Sequence, residues 1–287
     1  MTNIITSDGT TLHITKSGKG IPCIFLHGGP GYWSYSFEKA AGPSLENFMQ
    51  MYYLDQRGCG RSSLSKQDDY SLNRLLQDLE EIRNEFGLKK WFVMGHSFGG
   101  ILATNYAKQY PESTLGLILL NSTLNKRETN MHQMNIGRKW LNQEKITDNY
   151  ESMEQFYEDF FGLAKELLER ELYYDMQFES KENLKVLEQL DKDLIYRPNF
   201  REYVFKDIGF FQDYTKITSQ IHTPTLIISG KHDHAIGPDH YKKFKFPNKY
   251  VTILDDRHHP YIENPKEFQH TIQKFVEREF SISTLCN

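Results

Sequence analysis

The chain has 287 residues and a formal charge of −4, with 34 Lys and Arg set against 38 Asp and Glu that are mixed in sign along its length. That length suits one large domain, or a core with an insertion, better than two equal domains. The charge pattern concentrates nothing basic, which argues against nucleic acid or an anionic membrane surface and leaves a small molecule or short peptide as the expected partner. Cys23, Cys59 and Cys286 lie far apart without C-x-x-C spacing, so reduced thiols in a cytoplasmic setting are expected, with no disulfide framework and no zinc site. The start, Met1-Thr2-Asn3, is polar and shows no secretion signal. No apolar run approaches the ~18–20 residues of a membrane span.

Ile4 to Lys16 alternates around the turn dipeptide Asp8-Gly9 and reads as a hairpin. Ile21-Pro22-Cys23-Ile24-Phe25-Leu26 is a continuous apolar run of strand length, ending in the glycine-rich loop His27-Gly28-Gly29-Pro30-Gly31. Met49 to Leu54 is the next strand, closed by Asp55-Gln56-Arg57-Gly58-Cys59-Gly60-Arg61-Ser62. Ser71 caps a helix whose apolar positions are Leu72, Leu75, Leu76, Leu79, Ile82 and Phe86, with Gly87 as its stop. Trp91 to Gly95 is a strand that runs through Gly95-His96-Ser97-Phe98-Gly99-Gly100 into a helix, and Leu115 to Leu120 is another strand. This order predicts a parallel sheet with helices on both faces.

From 123 to 215 the pattern becomes helical and aromatic-rich, with Phe156, Phe160, Leu163, Leu167 and Leu168 marking one helix and Leu184, Leu187 and Leu190 a second. Strands resume at Pro224–Ser229 and Tyr250–Leu254, with a short helix over Asp239–Phe244 between them, and Asn264-Pro265 opens a final helix. The expected organisation is a core of 1–122 and 216–287 interrupted by a helical cap over 123–215.

Strand, glycine-bracketed serine and helix together form the G-x-S-x-G elbow. Such a turn holds Ser97 at a strained backbone angle, and side chains at 95 or 99 are expected to collide with the neighbouring strand and helix. A serine hydroxyl needs a base, and the base an orienting acid. Both are expected at strand C-terminal ends, where Gly230-Lys231-His232-Asp233 and Asp255-Asp256-Arg257-His258-His259 lie. Asn121-Ser122, the other slot for an acid, offers no carboxylate. His258 and His259 compete for the base. His96 is expected to pack or hydrogen-bond behind the elbow, because adjacent positions at a strand end point apart. The histidines near 232–234 and 258–259 lack helical H-x-x-x-H spacing, so no metal or other cofactor is expected. Oxyanion donors are expected from the N–H of Phe98 and from the 27–31 loop at Gly29.

Taken together, the 27–31 loop, the 55–62 string, the elbow, Gly230 to Asp233 and His258-His259-Pro260-Tyr261-Ile262-Glu263-Asn264-Pro265 resemble the α/β-hydrolase superfamily, and within it the proline iminopeptidase group. The resemblance implies an α/β fold with a mostly parallel, eight-stranded sheet, helices on both faces and a helical cap. It also implies the triad Ser97, Asp233 and His258, since the usual end motif G-H-x-P-[FY]-x-E-x-P places its histidine at 258, with Arg257 where glycine is common. The implied activity is release of N-terminal proline through an acyl-enzyme, with acidic cap residues holding the substrate amine. Glu154, Glu158, Glu188 and Glu202 are the candidates for that task. His234 stands where some such peptidases are acidic, and a cap Trp-Glu motif is missing. A carboxylesterase-like hydrolase of small acyl esters, or a non-catalytic binding module on the same fold, are the alternatives.

Overall fold

The computed structural model describes residues 2–279, so Cys286 lies outside the described residues. The hairpin is present: β1 (Thr2–Ile5) pairs antiparallel with β2 (Thr11–Ser17). After β3 (Ile21–Leu26) comes a helix that the sequence pattern hid, α1 (Tyr35–Leu45), and then β4 (Met49–Asp55). Gly42 and Pro43 interrupt α1, yet Phe37, Ala41 and Leu45 sit four residues apart on one buried stripe. This helix is the crossover that lets β3 and β4 pair in parallel.

The chain continues as α2 (Leu72–Glu85), β5 (Trp91–His96), α3 (Gly99–Gln109) and β6 (Thr114–Leu120). Ser71 caps α2 by accepting the Arg74 N–H at 3.3 Å, satisfying one of the donors a helix start leaves free. Between β6 and β7 (Thr225–Gly230) lie α4 (Lys126–Trp140), α5 (Met153–Glu169), α6 (Lys181–Asp191) and α7 (Pro198–Lys206), with 3-10 turns and no strand among the described residues. Asn125, Ser152 and Ser180 cap α4, α5 and α6 in the same way as Ser71. This segment has its own small core of Met134, Phe156, Tyr157, Leu163, Leu167 and Met176. β8 (Lys249–Leu254), the single turn α8 (Pro260–Glu263) and α9 (Pro265–Glu279) complete the described chain; the helix expected near 239–244 is a 3-10 turn, His240–Lys243.

The eight strands form one sheet in the order β1-β2-β4-β3-β5-β6-β7-β8. Only β1 and β2 run antiparallel to their neighbours. One face is covered by α2 and α3 through Leu75, Leu79, Ile82, Ile101 and Tyr106. The other is covered by α1 and α9 through Phe37, Leu45, Phe268 and Phe275. All parallel strands point their C-terminal ends to the same edge, and the loops that follow β3, β5, β7 and β8 meet there.

Candidate active site

Ser97 takes a left-handed φ of +55° between β5 and α3. A non-glycine residue adopts that angle at a cost, and the surroundings hold it there. The Ser97 N–H donates to Leu120 O at 3.0 Å, while its own carbonyl accepts from Gly100 N at 3.0 Å and Thr123 N at 3.2 Å. The flanking glycines are a matter of space: a methyl group at Gly95 would lie 2.5 Å from Gly99 O, and one at Gly99 would lie 2.2 Å from Leu26 O. Both collisions fall on the neighbours expected from the sequence, the helix and the adjacent strand.

The loop after β3 closes on the serine. A methyl group at Gly28 would stand 2.9 Å from Ser97 Cβ, so this backbone approaches the serine as closely as a chain can. The N–H groups of Gly29, next to Gly28, and of Phe98, next to Ser97, have no acceptor among the described residues.

The string 55–62 explains how that loop is held. His27 Nδ1–H donates to Gly28 O at 2.9 Å, and its Nε2 accepts the Gln56 N–H at 3.1 Å. Gln56 Nε2 in turn donates to His27 O at 3.0 Å. Burial pulls the His27 imidazole below its ordinary pKa, which keeps it in this neutral, one-donor, one-acceptor form. Asp55 accepts from Ser34 N at 2.8 Å and Ser34 Oγ at 2.7 Å on the far side of the loop, and from Arg61 Nε at 2.7 Å. Arg57 is completely buried and grips Asp78 through two bonds of 2.6 and 2.7 Å, with Asp8 of the β1–β2 turn at 2.7 Å. Such bidentate pairing offsets the cost of burying the charge.

Asp233 follows β7 and is 1% exposed. Its Oδ1 accepts the N–H groups of Ala235 at 2.9 Å and Ile236 at 3.2 Å, and its Oδ2 accepts His258 Nδ1–H at 3.0 Å. His259 makes no such contact with an acid among the described residues. Its Nε2–H donates to Gln177 Oε1 at 3.3 Å, its Nδ1 accepts from the Tyr261 hydroxyl at 2.7 Å, and Phe178 stacks on its ring at 4.5 Å. His96 Nε2–H donates to His258 O at 3.0 Å with the two rings 4.7 Å apart, while Ser97 Oγ and His258 share no hydrogen bond among the described residues. Burial and the nearby His258 drive both His96 and His259 well below the ordinary histidine pKa, so neither carries charge near neutrality. Asn121, at the end of β6, joins the two loops: its Oδ1 accepts Gly230 N at 2.9 Å and its Nδ2 donates to Arg257 O at 2.5 Å.

Three features were not visible in the sequence. First, residues 175–178 lie between the Asp233 and His258 loops. Met176 O accepts from His234 N at 3.1 Å and Ala235 N at 3.2 Å, and Gln177 O accepts from His258 N at 3.0 Å. Arg257, standing where the family pattern has glycine, donates to the carbonyls of Phe178, at 2.8 Å, and Asp175. Second, Glu154, Glu158, Glu188 and Glu202 are all exposed. The cap carboxylate that reaches the segment just after the 27–31 loop is Asp191, which accepts from the Tyr32 hydroxyl at 2.6 Å, Trp33 Nε1 at 2.8 Å and Ser36 Oγ. Third, the histidines near the acid are engaged elsewhere: His234 Nδ1 bonds His132 Nε2 at 3.2 Å, and His232 bonds Asp255 at 3.1 Å on the surface. No helix among the described residues is long and apolar enough to cross a membrane.

Comparison with known proteins agrees with this architecture. The family model for the alpha/beta hydrolase fold matches residues 21–265. A proline iminopeptidase of Saccharolobus solfataricus is 29% identical over 277 residues, covering 91% of this chain and 86% of that one. Among solved structures, a proline iminopeptidase-related protein from Thermus thermophilus superposes with a TM-score of 0.78 at 20% identity, covering 96% of this chain and 98% of the other. A thermophilic esterase from Thermogutta terrifontis superposes at 0.72 with 19% identity, covering 98% and 99%. The sheet order, the elbow and the family match lead to one conclusion: this chain belongs to the α/β-hydrolase fold family.

Proposed function

We propose that the protein is a serine hydrolase working through an acyl-enzyme, and that it releases N-terminal proline from peptides. The single observation that carries the chemistry is the 3.0 Å bond from His258 Nδ1–H to a buried Asp233 whose other oxygen is held by two backbone donors. That bond fixes the tautomer, leaving Nε2 as the basic nitrogen. In this reading Ser97 Oγ attacks the scissile carbonyl while His258 Nε2 takes its proton. The free N–H groups of Gly29 and Phe98 hold the oxyanion, each such donor being worth roughly 10²–10³ in kcat. His258 then returns the proton to the leaving amine, and a water repeats the sequence to release the acid. Asp233 stays ionised and steadies the imidazolium.

The prolyl specificity is supported by the iminopeptidase relative and by Asp191. This carboxylate has no cation within ion-pair distance among the described residues and lies against the loop that carries Gly29, where it can oppose a substrate ammonium. The exposure of the four glutamates and the esterase of similar fold favour the second reading, a hydrolase of small acyl esters. The buried free thiols Cys23 and Cys59, pushed up in pKa by their burial, support a reducing, cytoplasmic setting.

A fluorophosphonate probe tests the chemistry: one adduct per chain, abolished in Ser97→Ala, is expected, and absence of an adduct would instead favour a non-catalytic binding protein. Prolyl arylamide and its N-acetyl derivative, run beside short acyl esters, test the specificity. If acetylation leaves turnover unchanged, the aminopeptidase reading is wrong and the esterase reading replaces it.

A further inference from the structure

Lys126, the first residue of α4, is 5% exposed and has no carboxylate within ion-pair distance among the described residues. Its Nζ lies over three rings, 3.8 Å from the centre of Phe205, 4.8 Å from Phe211 and 5.2 Å from Tyr157. Of its three possible donor directions, one finds an oxygen, the Tyr157 hydroxyl, at 3.5 Å, the outer limit of a hydrogen bond. A second cation approaches the same ring: the Arg201 guanidinium lies 5.6 Å from the centre of Phe205 and 5.5 Å from Phe161. Its only polar side-chain partner among the described residues is the Tyr196 hydroxyl at 3.4 Å. Two basic side chains therefore approach one phenyl ring in the cap without a carboxylate partner among the described residues. Aromatic faces attract cations, but they do not provide the acceptors that buried N–H groups require.

The place of this pair ties it to the serine. A methyl group at Gly31, in the loop that carries Gly29, would meet Arg201 Cβ at 3.4 Å. On the other side, Thr123, three residues before Lys126, donates to Ser97 O at 3.2 Å, and Phe211 adjoins Phe210, whose ring is 5.6 Å from Phe98. Arg201 thus borders the loop that carries Gly29, and Lys126 follows the segment hydrogen-bonded to Ser97. Asp191 borders the same loop from α6, through its bond with Tyr32, the residue after Gly31. Basic side chains and a carboxylate bordering one loop match a short zwitterion.

We propose that Lys126 and Arg201 receive a carboxylate of the substrate, so that the preferred substrates are short peptides whose leaving group ends in a free C-terminal carboxylate. The proposal deepens the hydrolase reading and rests on it for the position of the scissile bond. A carboxylate within reach of both would give the buried Lys126 amine the acceptors it lacks and pair with the half-buried Arg201 guanidinium. The titratable and charged groups that face Lys126 are the Tyr157 hydroxyl from α5 and Arg201 from α7. Its helix neighbours Arg127 and Glu128 are turned away, to Asp148 and to His240 with Lys243. Burial and Arg201 both lower the Lys126 pKa, so the bound anion also favours uptake of a proton by the amine.

Binding to the Ser97→Ala protein tests this without relying on turnover. Calorimetry with Pro-Gly against Pro-Gly-amide, and with a monoalkyl glutarate against the matching alkyl valerate, reports the value of the carboxylate in a leaving group and in an acyl chain respectively. The carboxylate form of the peptide pair should bind about tenfold or more tightly. The advantage should vanish in Lys126→Met and persist in part in Lys126→Arg. An advantage in the glutarate pair alone overturns the leaving-group assignment, and equal affinity within both pairs overturns the proposal, even if Lys126→Met fails to fold. Turnover of Pro-Gly by the unmutated protein is read separately: binding preference without turnover would count against the hydrolase reading while leaving the carboxylate site standing.

Discussion

Asp191, the last residue of α6, accepts the Tyr32 hydroxyl at 2.6 Å, which ties a cap helix to the loop that approaches Ser97. The carboxylate also takes the Trp33 and Ser36 donors, so its charge is held in place by three groups of one short segment. Asp191→Asn keeps the shape and removes the charge. With a proline arylamide it should raise KM about tenfold, the effect of losing one charge-assisted contact to an ammonium, while a neutral acyl ester should show a much smaller change. Equal effects on both substrates would assign Asp191 to loop support alone.

His258 and His259 are adjacent and both buried, but only one meets an acid. His258→Ala should lower kcat by about 10⁴-fold or more, the scale seen when a triad member is removed. His259→Ala instead leaves Tyr261 and Gln177 without partners, a stability cost of about 1–3 kcal/mol. Steady-state kinetics beside urea unfolding separate the two, and the reverse pattern would move the base to 259.

Asp256 is 1% exposed, and both its oxygens lack a hydrogen-bond partner among the described residues. Burial, with Glu263 and Asp233 near by, pushes its pKa up to about 8. The folded protein therefore keeps this proton where the unfolded chain has released it. The stabilising effect is complete below the ordinary carboxylate pKa and is lost as pH rises towards about 8, at about 1.4 kcal/mol per pH unit. In Asp256→Asn that slope should disappear, making the variant increasingly the more stable protein as pH rises from about 4 to about 8. Urea midpoints across that window check it; parallel curves for the two proteins would show that Asp256 is ionised in the fold.

Gly28 has no room for a side chain, since its added methyl would lie 2.9 Å from Ser97 Cβ. Gly28→Ala should displace the loop by a few tenths of an ångström and lower kcat about tenfold or more through misplaced donors, with the melting temperature little changed. The rate of fluorophosphonate labelling is the direct measure, and an unchanged rate would separate this loop from the oxyanion.

Much of this architecture is legible in the residues because local physics sets it. Strand runs, the Ser71 cap and the serine elbow stand where their patterns place them, since each depends on neighbours within a few positions. The helix Tyr35–Leu45 is hidden by Gly42 and Pro43, because its stability comes from packing Phe37 and Leu45 on the sheet rather than from propensity. Asp191 escapes notice because its partners lie more than 150 positions away, and long-range pairing leaves no local signature. The contacts of residues 175–178 are invisible for another reason: the acceptors are backbone carbonyls, which every residue owns.

Those carbonyls have a further consequence. Because 175–178 are sewn to the turns bearing Asp233 and His258, any movement of this part of the cap must first break those bonds. An opening along another margin would leave them whole, whereas trimming 175–178 away would strip three backbone donors, at 234, 235 and 258, of their acceptors.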